Sequence, residues 1–283
     1  MLLRNLLNKH KSYGDIAWEV AEEYLDLSKE EIIIYSDKKK VSPQQEKKIN
    51  KALLEFQKGT PLAYCLNRKY FFGYKFYVDK NTLIPRPETE ILVKTATPFI
   101  KKIRSGNVID IGTGCANIII SLYKQSGDSK NKIHFFAVDK SKKALRVAIK
   151  NSSRLDAEKI NFLQSDLFSN SKLPKNFEVI LANLPYLERD YLKNLPRDLS
   201  RSLSYEPTIA LDGGKEGFEL IVKLIKELKN RLSPRGVCII EIGDDQIQQI
   251  SEICISENLE IKKIKDFNGF ARFARIRKRT LRV

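Results

Sequence analysis

The sequence predicts an α/β protein in two parts: a small helical domain, then an open parallel sheet with helices on both faces. Three observations predict it. From about residue 88 onward, short β-branched runs alternate with helical stretches, the pattern of a parallel sheet wound on both faces. Over residues 1–60, apolar side chains recur at helical spacing. Between the two, Tyr70-Phe71-Phe72-Gly73-Tyr74-Lys75-Phe76-Tyr77-Val78 is an aromatic, β-prone run around one glycine, which predicts a hairpin.

In the N-terminal part Ile16, Val20, Tyr24 and Leu25, with Trp18 and Ala21 beside them, mark one helix face. Ser28 followed by Glu31, and Ser42 followed by Pro43 and Gln45, are capping-box patterns. In the second, proline takes the first helical position, where its missing N–H costs nothing. Gly59 and Pro61 end that helix. The resulting expectation is a helical domain over 1–68, a β-hairpin linker over 69–86 and the sheet domain over 87–283. In the last, strands are expected at 107–111, 133–138, 160–164, 177–181 and 237–242, with two more within 258–277. Helices are expected at 88–103, 115–125, 141–155, 215–231 and 245–257. Ligands of such a sheet bind outside the carboxyl ends of its strands.

Composition removes several classes of function. The 283 residues are 42% hydrophobic and 30% charged, enough for a packed core and too apolar for a disordered chain. No apolar run approaches the roughly 18 residues of a membrane span, so no membrane partner is expected. Polar Asn5, Asn8, Lys9 and His10 close behind Met1-Leu2-Leu3-Arg4 leave no secretory segment, so a cytoplasmic protein is expected. Cys65, Cys115, Cys238 and Cys254 make no CxxC pair, and only His10 and His134 accompany them. Neither a disulfide framework nor a metal site is expected. The net charge of +16 attracts polyanions, so transient contact with RNA or the ribosome is an expectation. It is weighed against a plainly solvated lysine surface. The dense run Arg272, Arg275, Arg277, Lys278, Arg279 and Arg282 is read equally as an RNA contact or a frayed basic end.

The candidate site assembles from strand ends. Asp110-Ile111-Gly112-Thr113-Gly114-Cys115-Ala116-Asn117 follows the first strand of the sheet, and its glycines permit a tight turn and close approach of a ligand. The third glycine of a dinucleotide fingerprint is absent, Asn117 standing in its place. Asp139 ends the second strand about 25 residues on, near the ~20 expected of a ribose-binding carboxylate; it would equally serve as an N-terminal charge for the next helix. Asp166 ends the third strand beside Leu167 and Phe168, a carboxylate against an apolar wall, which suits an adenine and its exocyclic amine. Three successive strand ends thus point to an adenosine pocket.

The fourth strand delivers Asn183-Leu184-Pro185-Tyr186. A planar amide or aryl amine is a poor nucleophile because its nitrogen lone pair is delocalised. Two acceptors, the Asn183 side-chain oxygen and the Leu184 carbonyl, can hold its N–H groups, aim the lone pair at an electrophilic methyl and stabilise the charge that builds on nitrogen. Tyr186 can cover the planar group. The methyl donor this implies is S-adenosylmethionine. The structural alternative is a loop stiffened by Pro185, with Asn183 in a tight turn.

With these residues in place, the chain resembles the release factor glutamine methyltransferases of the HemK/PrmC type over nearly its whole length. The likeness rests on Leu83-Ile84-Pro85-Arg86-Pro87-Glu88-Thr89-Glu90, Asp110–Gly114, Ala137-Val138-Asp139, Ser165-Asp166, Asn183–Tyr186, Tyr205-Glu206-Pro207, Ala210–Gly217 and Glu241-Ile242-Gly243. The segment from Pro85 to Glu90 is the most specific, since many amino-methylating families share the asparagine–proline–aromatic motif without it. The resemblance implies a Rossmann-like, seven-stranded methyltransferase domain behind the helical domain. The implied substrate is the glutamine of the Gly-Gly-Gln loop of class 1 peptide chain release factors, methylated on its side-chain nitrogen. It places Asp110, Gly112, Thr113, Gly114, Cys115, Ala116, Asp139, Asp166, Leu167 and Asn183 at cofactor positions. Asn183, Leu184, Pro185 and Tyr186 fall on the glutamine site, and Pro85, Arg86 and Glu90 on substrate-binding positions. The helical domain would contact the release-factor body, with the enzyme a monomer. Two departures stand out: Leu184 replaces the first of two prolines usual in the family, and Leu167 replaces an aromatic.

Three alternatives stay open at this level. An N6-adenine nucleic-acid methyltransferase would use the same Asn183–Tyr186 motif, although residues 1–60 offer no conspicuously basic target-recognition surface. A ribosomal-protein glutamine methyltransferase is the second, and a non-catalytic RNA-binding module on the same scaffold is the third. Residues 187–204, with Arg189, Arg197 and Arg201 between leucines, are long for a connection and read as a lid shaped to a substrate.

Overall fold

The computed structural model describes residues 1–127, 131–196 and 203–279, so Arg197, Arg201 and Arg282 lie outside the described residues. The chain divides into two compact units, Met1–Arg68 and Lys69–Val283.

The first unit contains helices α1 (Leu3–Lys9), α2 (Asp15–Leu25), α3 (Lys29–Tyr35), α4 (Pro43–Gln57) and α5 (Leu62–Cys65). Both capping boxes form: Ser28 Oγ accepts from Glu31 N–H while the Glu31 carboxylate accepts from Ser28 N–H, and Ser42 and Gln45 do likewise. Each such cap contributes about 1 kcal/mol. Leu3, Leu6, Val20, Ala21, Leu25, Ile32, Ile49 and Leu53 close the core. Val20 and Leu25 of the expected stripe are fully inside, while Ile16, Trp18 and Tyr24 pack at its margin. Arg68 is held by Glu19 at 3.0 Å and Glu23 at 2.6 Å.

The second unit opens with the hairpin β1 (Lys69–Phe71) and β2 (Tyr74–Phe76). Phe72 and Gly73 both have positive φ, 50° and 79°, the backbone of a two-residue turn that matches strand twist. A helix α6 (Glu90–Ile100) follows, entered through a 3-10 turn at Pro87–Thr89. Then come β3 (Gly106–Ile111), α7 (Asn117–Gln125), β4 (Ile133–Asp139), α8 (Lys142–Arg154), β5 (Asn161–Gln164), β6 (Phe177–Asn183) and the short α9 (Arg189–Lys193). The chain continues through α10 (Glu219–Arg231), β7 (Leu232–Glu241), α11 (Ile247–Ser256), β8 (Leu259–Ile264) and β9 (Phe273–Lys278).

The seven strands of the sheet run in the order β5-β4-β3-β6-β7-β9-β8. Alternate strand residues feed two cores: Val108, Val179 and Leu181 enter one with α6 and α7, and Ile109, Ile180 and Ala182 enter the other with α10 and α11. This is the doubly covered sheet that the strand–helix alternation predicts.

Three details differ from the expectation. The sheet is not wholly parallel: β9 runs antiparallel to both β7 and β8, because the turn joining it to β8 is too short for a crossover. Asp266 braces that turn by accepting from Asn268 and Phe270 N–H, both at 2.9 Å. Strand β7 begins at Leu232, five residues before the expected start, pairing Leu232 with Phe177 across an irregularity; Pro234 and Gly236 hide that start from a propensity reading. Finally, part of the basic run lies in a strand. Arg275, Arg277 and Lys278 belong to β9, paired on both sides, and Arg277 stacks 5.0 Å over Phe99.

No helix of the described residues is long and apolar enough to cross a membrane.

Candidate active site

The chain passes from β3 to β4 and β5 on one side and returns to β6 on the other. The connections leaving β3 and β6 therefore diverge and open a crevice at the carboxyl edge. A cavity of about 400 Å³ lies there, lined by residues from the ends of β3, β4, β5 and β6, the 81–89 segment and the 207–223 segment.

The turn after β3 is occupied with its own bonds. Gly112 and Thr113 N–H both donate to the Val138 carbonyl at 2.9 Å, and Gly114 N–H donates to Asp139 Oδ2 at 2.9 Å. These three amides are thus unavailable to a phosphate, which such loops otherwise cradle. Gly112 has φ +71°, and a Cβ there would stand 3.0 Å from Leu184 Cδ2; the missing side chain lets Leu184 close on the turn. Asp110 is fully buried beneath it, Oδ2 accepting from Thr113 Oγ1 at 2.7 Å. Burial pushes its pKa up to about 7, against the Thr113 bond and with the help of nearby Asp139.

Asp139 ends β4 with both oxygens oriented by backbone: Oδ2 by Gly114 N–H, and Oδ1 by Ser141 N–H at 2.8 Å. Each oxygen keeps a further lone pair, a donor set matched to two neighbouring hydroxyls. Burial raises its pKa, opposed by those two N–H groups. The helix-start role is also real, since Ser141 Oγ caps α8 at Ala144 N–H. Asp166 lines the cavity in an exposed ion pair with Lys140 at 2.9 Å. Leu167 beside it is buried in the left-handed region at φ 50°, its carbonyl accepting from Ser165 Oγ at 2.7 Å. Backbone strain of this kind concentrates at ligand sites. Cys115 lines the cavity, and burial pushes its thiol up to about 12, which leaves it an inert wall. Ala116 (φ 65°) and Asp110 brace the turn without lining the cavity.

The donor set fits an S-adenosylmethionine and not a dinucleotide. The cavity presents the carboxylates of Asp139 and Asp166 as acceptors for hydroxyl or amine groups and Leu167 and Ile118 as apolar walls, and the turn's amides offer no phosphate cradle.

Asn183 is the last residue of β6 and stands in register beside Glu241, the last residue of β7. Its Nδ2 donates to Thr89 Oγ1 at 3.2 Å. Thr89 Oγ1 donates in turn to Glu241 Oε2 at 2.7 Å, and Tyr186 Oη donates to Glu241 Oε1 at 3.2 Å. Among the described residues, Asn183 Oδ1 forms no hydrogen bond, and Asn183 lines the cavity. Glu241 is 1% exposed. Burial pushes its pKa up to about 7, opposed by the Thr89 and Tyr186 bonds and by Arg272. Burial and Glu241 together push the Tyr186 phenol above its usual range.

Beyond Asn183 the chain is clamped. Leu187 N–H donates to the Leu211 carbonyl at 3.1 Å, and Gly213 N–H donates to the Leu187 carbonyl at 2.9 Å. Gln246 Nε2 donates to the Tyr186 carbonyl, also at 2.9 Å. A Cβ on Gly213 would fall on the Gly217 carbonyl and within 2.8 Å of Pro185 O, so only glycine permits this approach.

The Pro85–Glu90 segment divides. Pro85 and Arg86 line the cavity, and Arg86 is anchored at 2.5 Å by Glu206, whose side chain is fully buried. Glu206 also accepts Ile84 N–H at 3.0 Å. Glu90 lies away from the cavity lining: it accepts Phe72 N–H at 2.8 Å and so ties α6 to the hairpin turn. Tyr186 is likewise behind the lining, on Glu241. Sequence reasoning assigned no role to Thr89, Glu206 or Glu241. All three lie in segments that carry the family likeness, and the acid Glu241 ending an apolar strand was a further signal; nothing marked Thr89 out within its segment.

The methyltransferase-domain family matches residues 103–272. A release factor glutamine methyltransferase of Thermodesulfovibrio yellowstonii is 30% identical over 95% of this chain and 94% of its own length. One from Buchnera aphidicola of Acyrthosiphon pisum is 32% identical over 89% and 87%. Another, from Rhodopirellula baltica, is 33% identical over 87% and 84%. Among solved structures, a Pyrococcus furiosus methyltransferase superposes with TM-score 0.50 at 20% identity, covering 72% of this chain and 88% of that one. The last shows the fold alone.

Proposed function

The chain belongs to the release factor glutamine methyltransferase family, and from that premise we propose that it methylates the side-chain nitrogen of the glutamine in the Gly-Gly-Gln loop of class 1 peptide chain release factors. S-adenosylmethionine, when bound, supplies a methyl carbon made electrophilic by its sulfonium. Asp139 holds the ribose hydroxyls, Asp166 accepts from the adenine amine, and Leu167 packs against the ring. The Gly112–Gly114 turn, braced by Asp110 and flanked by Cys115 and Ala116, shapes the floor.

One observation carries the reading: an asparagine fixed by its Nδ2 at a strand end, with its oxygen as the polar atom left for a ligand of the cavity. Asn183 Oδ1 and the Leu184 carbonyl accept the two N–H groups of the substrate carboxamide. They turn its lone pair out of conjugation and stabilise the positive charge that develops on nitrogen. Pro85 and Arg86 border the entrance for the glutamine loop. Pro185 walls the glutamine site, and Tyr186 backs it through Glu241. The N-terminal unit docks the release-factor body of a monomeric enzyme; its exposed Ile33, Ile34 and Tyr35 on α3 support that role, since clustered exposed apolar residues mark contact surfaces.

The test is incubation of the full chain with labelled donor and purified release factor, or with RNA, DNA or ribosomes instead. One added methyl on the glutamine of the Gly-Gly-Gln peptide by mass spectrometry is expected. Label on adenine or on a ribosomal protein, with that peptide unmodified, would overturn the proposal.

A further inference from the structure

A carboxamide is nearly symmetric in shape, but its two ends do opposite things. An Asn183 with its oxygen toward the substrate accepts an N–H; reversed, it presents two donors to another donor. Something must choose the orientation, and the choice can be traced through the buried contacts. The Thr89 hydroxyl has one hydrogen and two polar neighbours, Glu241 Oε2 at 2.7 Å and the Asn183 amide at 3.2 Å. Glu241 in its ionised form, the one held above its pKa of about 7, only accepts, so there the hydrogen goes to Glu241. Thr89 Oγ1 can then only accept from Asn183, which requires Nδ2 to face it. Tyr186 Oη, donating to the other oxygen of Glu241, favours the ionised form, which accepts at both ends. Thr89 and Glu241 are both at 1% exposure, so water does not compete for the bond between them.

We propose that Thr89 and Glu241 are positioning residues that fix the Asn183 carboxamide with its oxygen toward the substrate. The inference rests on the role given to Asn183 above. Thr89 borders the cavity and Glu241 stands behind it; each acts through the direction of one hydrogen bond.

The experiment compares Thr89→Val, Thr89→Ser and Glu241→Gln in the full chain, with the Asn183 side-chain 1H–15N resonance assigned by its loss in Asn183→Ala. Valine keeps the volume and removes the acceptor; serine keeps the acceptor. The amide that Glu241→Gln introduces could donate to Thr89, whose hydrogen would then pass to Asn183 and reverse its carboxamide. Thr89→Val and Glu241→Gln are expected to lower kcat about 10–100-fold, between the loss of one neutral hydrogen bond and that of a transition-state contact. Donor affinity and the KM for release factor should hold, and the Asn183 resonance should move. Thr89→Ser should restore both kcat and resonance. Wild-type kcat in Thr89→Val, or a Thr89→Ser as slow as the valine variant, would overturn the proposal. If the wild-type enzyme itself left the glutamine unmethylated, the functional reading would fail separately, and the resonance would still decide whether Thr89 and Glu241 orient the amide.

Discussion

Asn183→Ala separates chemistry from binding more sharply than any other change in this site. The substitution removes Oδ1, an acceptor whose value is realised as positive charge grows on the glutamine nitrogen. Removing one such preorganised partner costs about 2.7–4 kcal/mol, or 10²–10³ in kcat. Its cost to the fold is much smaller. The Nδ2 bond to Thr89 is neutral and only part-buried, worth about 1 kcal/mol, which lowers Tm by about 2–4 °C in a domain of this size. Thr89 keeps its bond to Glu241 in the variant, so no buried charge is stranded. Asp139, Asp166 and Leu167, to which the proposed function gives the donor, follow other strands. The assay pairs initial rates on purified release factor with calorimetric titration of the donor. A kcat near the wild-type value would remove Asn183 from the mechanism. A donor affinity that fell as far as kcat would show that Asn183 holds the donor and does not steer the acceptor.

Asp139→Ala is expected to do the reverse, weakening donor affinity by about 2–4 kcal/mol, the loss of charge-assisted bonds to two hydroxyls less what water recovers; unchanged calorimetric affinity would count against the ribose role. Asp110 and Glu241 both titrate near 7 in the folded chain, raised by burial from 3.8 and 4.5. The native state therefore holds more protons than the unfolded state between about pH 4 and 7, and their contribution to stability is lost as pH rises through that window. Urea unfolding should show Asp110→Asn and Glu241→Gln gaining stability relative to wild type at pH about 8 and not at pH about 4, each by up to a few kcal/mol; an equal change at both would exclude this origin. Gly213→Ala forces the 213–217 segment off Pro185, at about 1–3 kcal/mol for overpacking, and should depress kcat with Tm; full activity would show that the clamp is dispensable.

The sheet was legible because parallel strands buried on both faces are near-continuous apolar runs, as in Val179–Ala182 and in Val108–Ile111, which only Asp110 interrupts. The strand-end residues were legible for a related reason: Asp139, Asp166 and Asn183 are polar groups placed where an apolar run stops. What stayed hidden depends on distance across the sequence. Thr89 is an ordinary helix-start residue until Glu241, 152 positions away, lies 2.7 Å from its hydroxyl. Glu206 reaches Arg86 over 120 positions. The direction of β9 was hidden because period-two patterning is the same in parallel and antiparallel strands; only the length of the connection decides it. Glu90, grouped with Arg86 by adjacency, parted from it because Thr89 is the last residue of that segment in the cavity lining, and Glu90, which opens α6, turns instead to Phe72 N–H.

Leu184 shows how such long-range contacts can replace a local constraint. Proline at that position would fix φ near −65° and stiffen the turn that presents the carbonyl; leucine leaves the torsion free. The stiffness here comes from outside the turn. Leu184 is 6% exposed, closing on the Gly112 turn where a Cβ would stand 3.0 Å from its Cδ2. Pro185 is backed by Gly213, the Tyr186 carbonyl is held by Gln246, and Leu187 bonds with both Leu211 and Gly213. Freedom gained at one torsion is removed by anchors on both sides of it. A ring at 184 would, however, surrender the branched side chain that fills the space over Gly112. Leucine therefore couples the turn after β6 to the turn after β3 directly, the two turns to which the proposed function gives acceptor and donor.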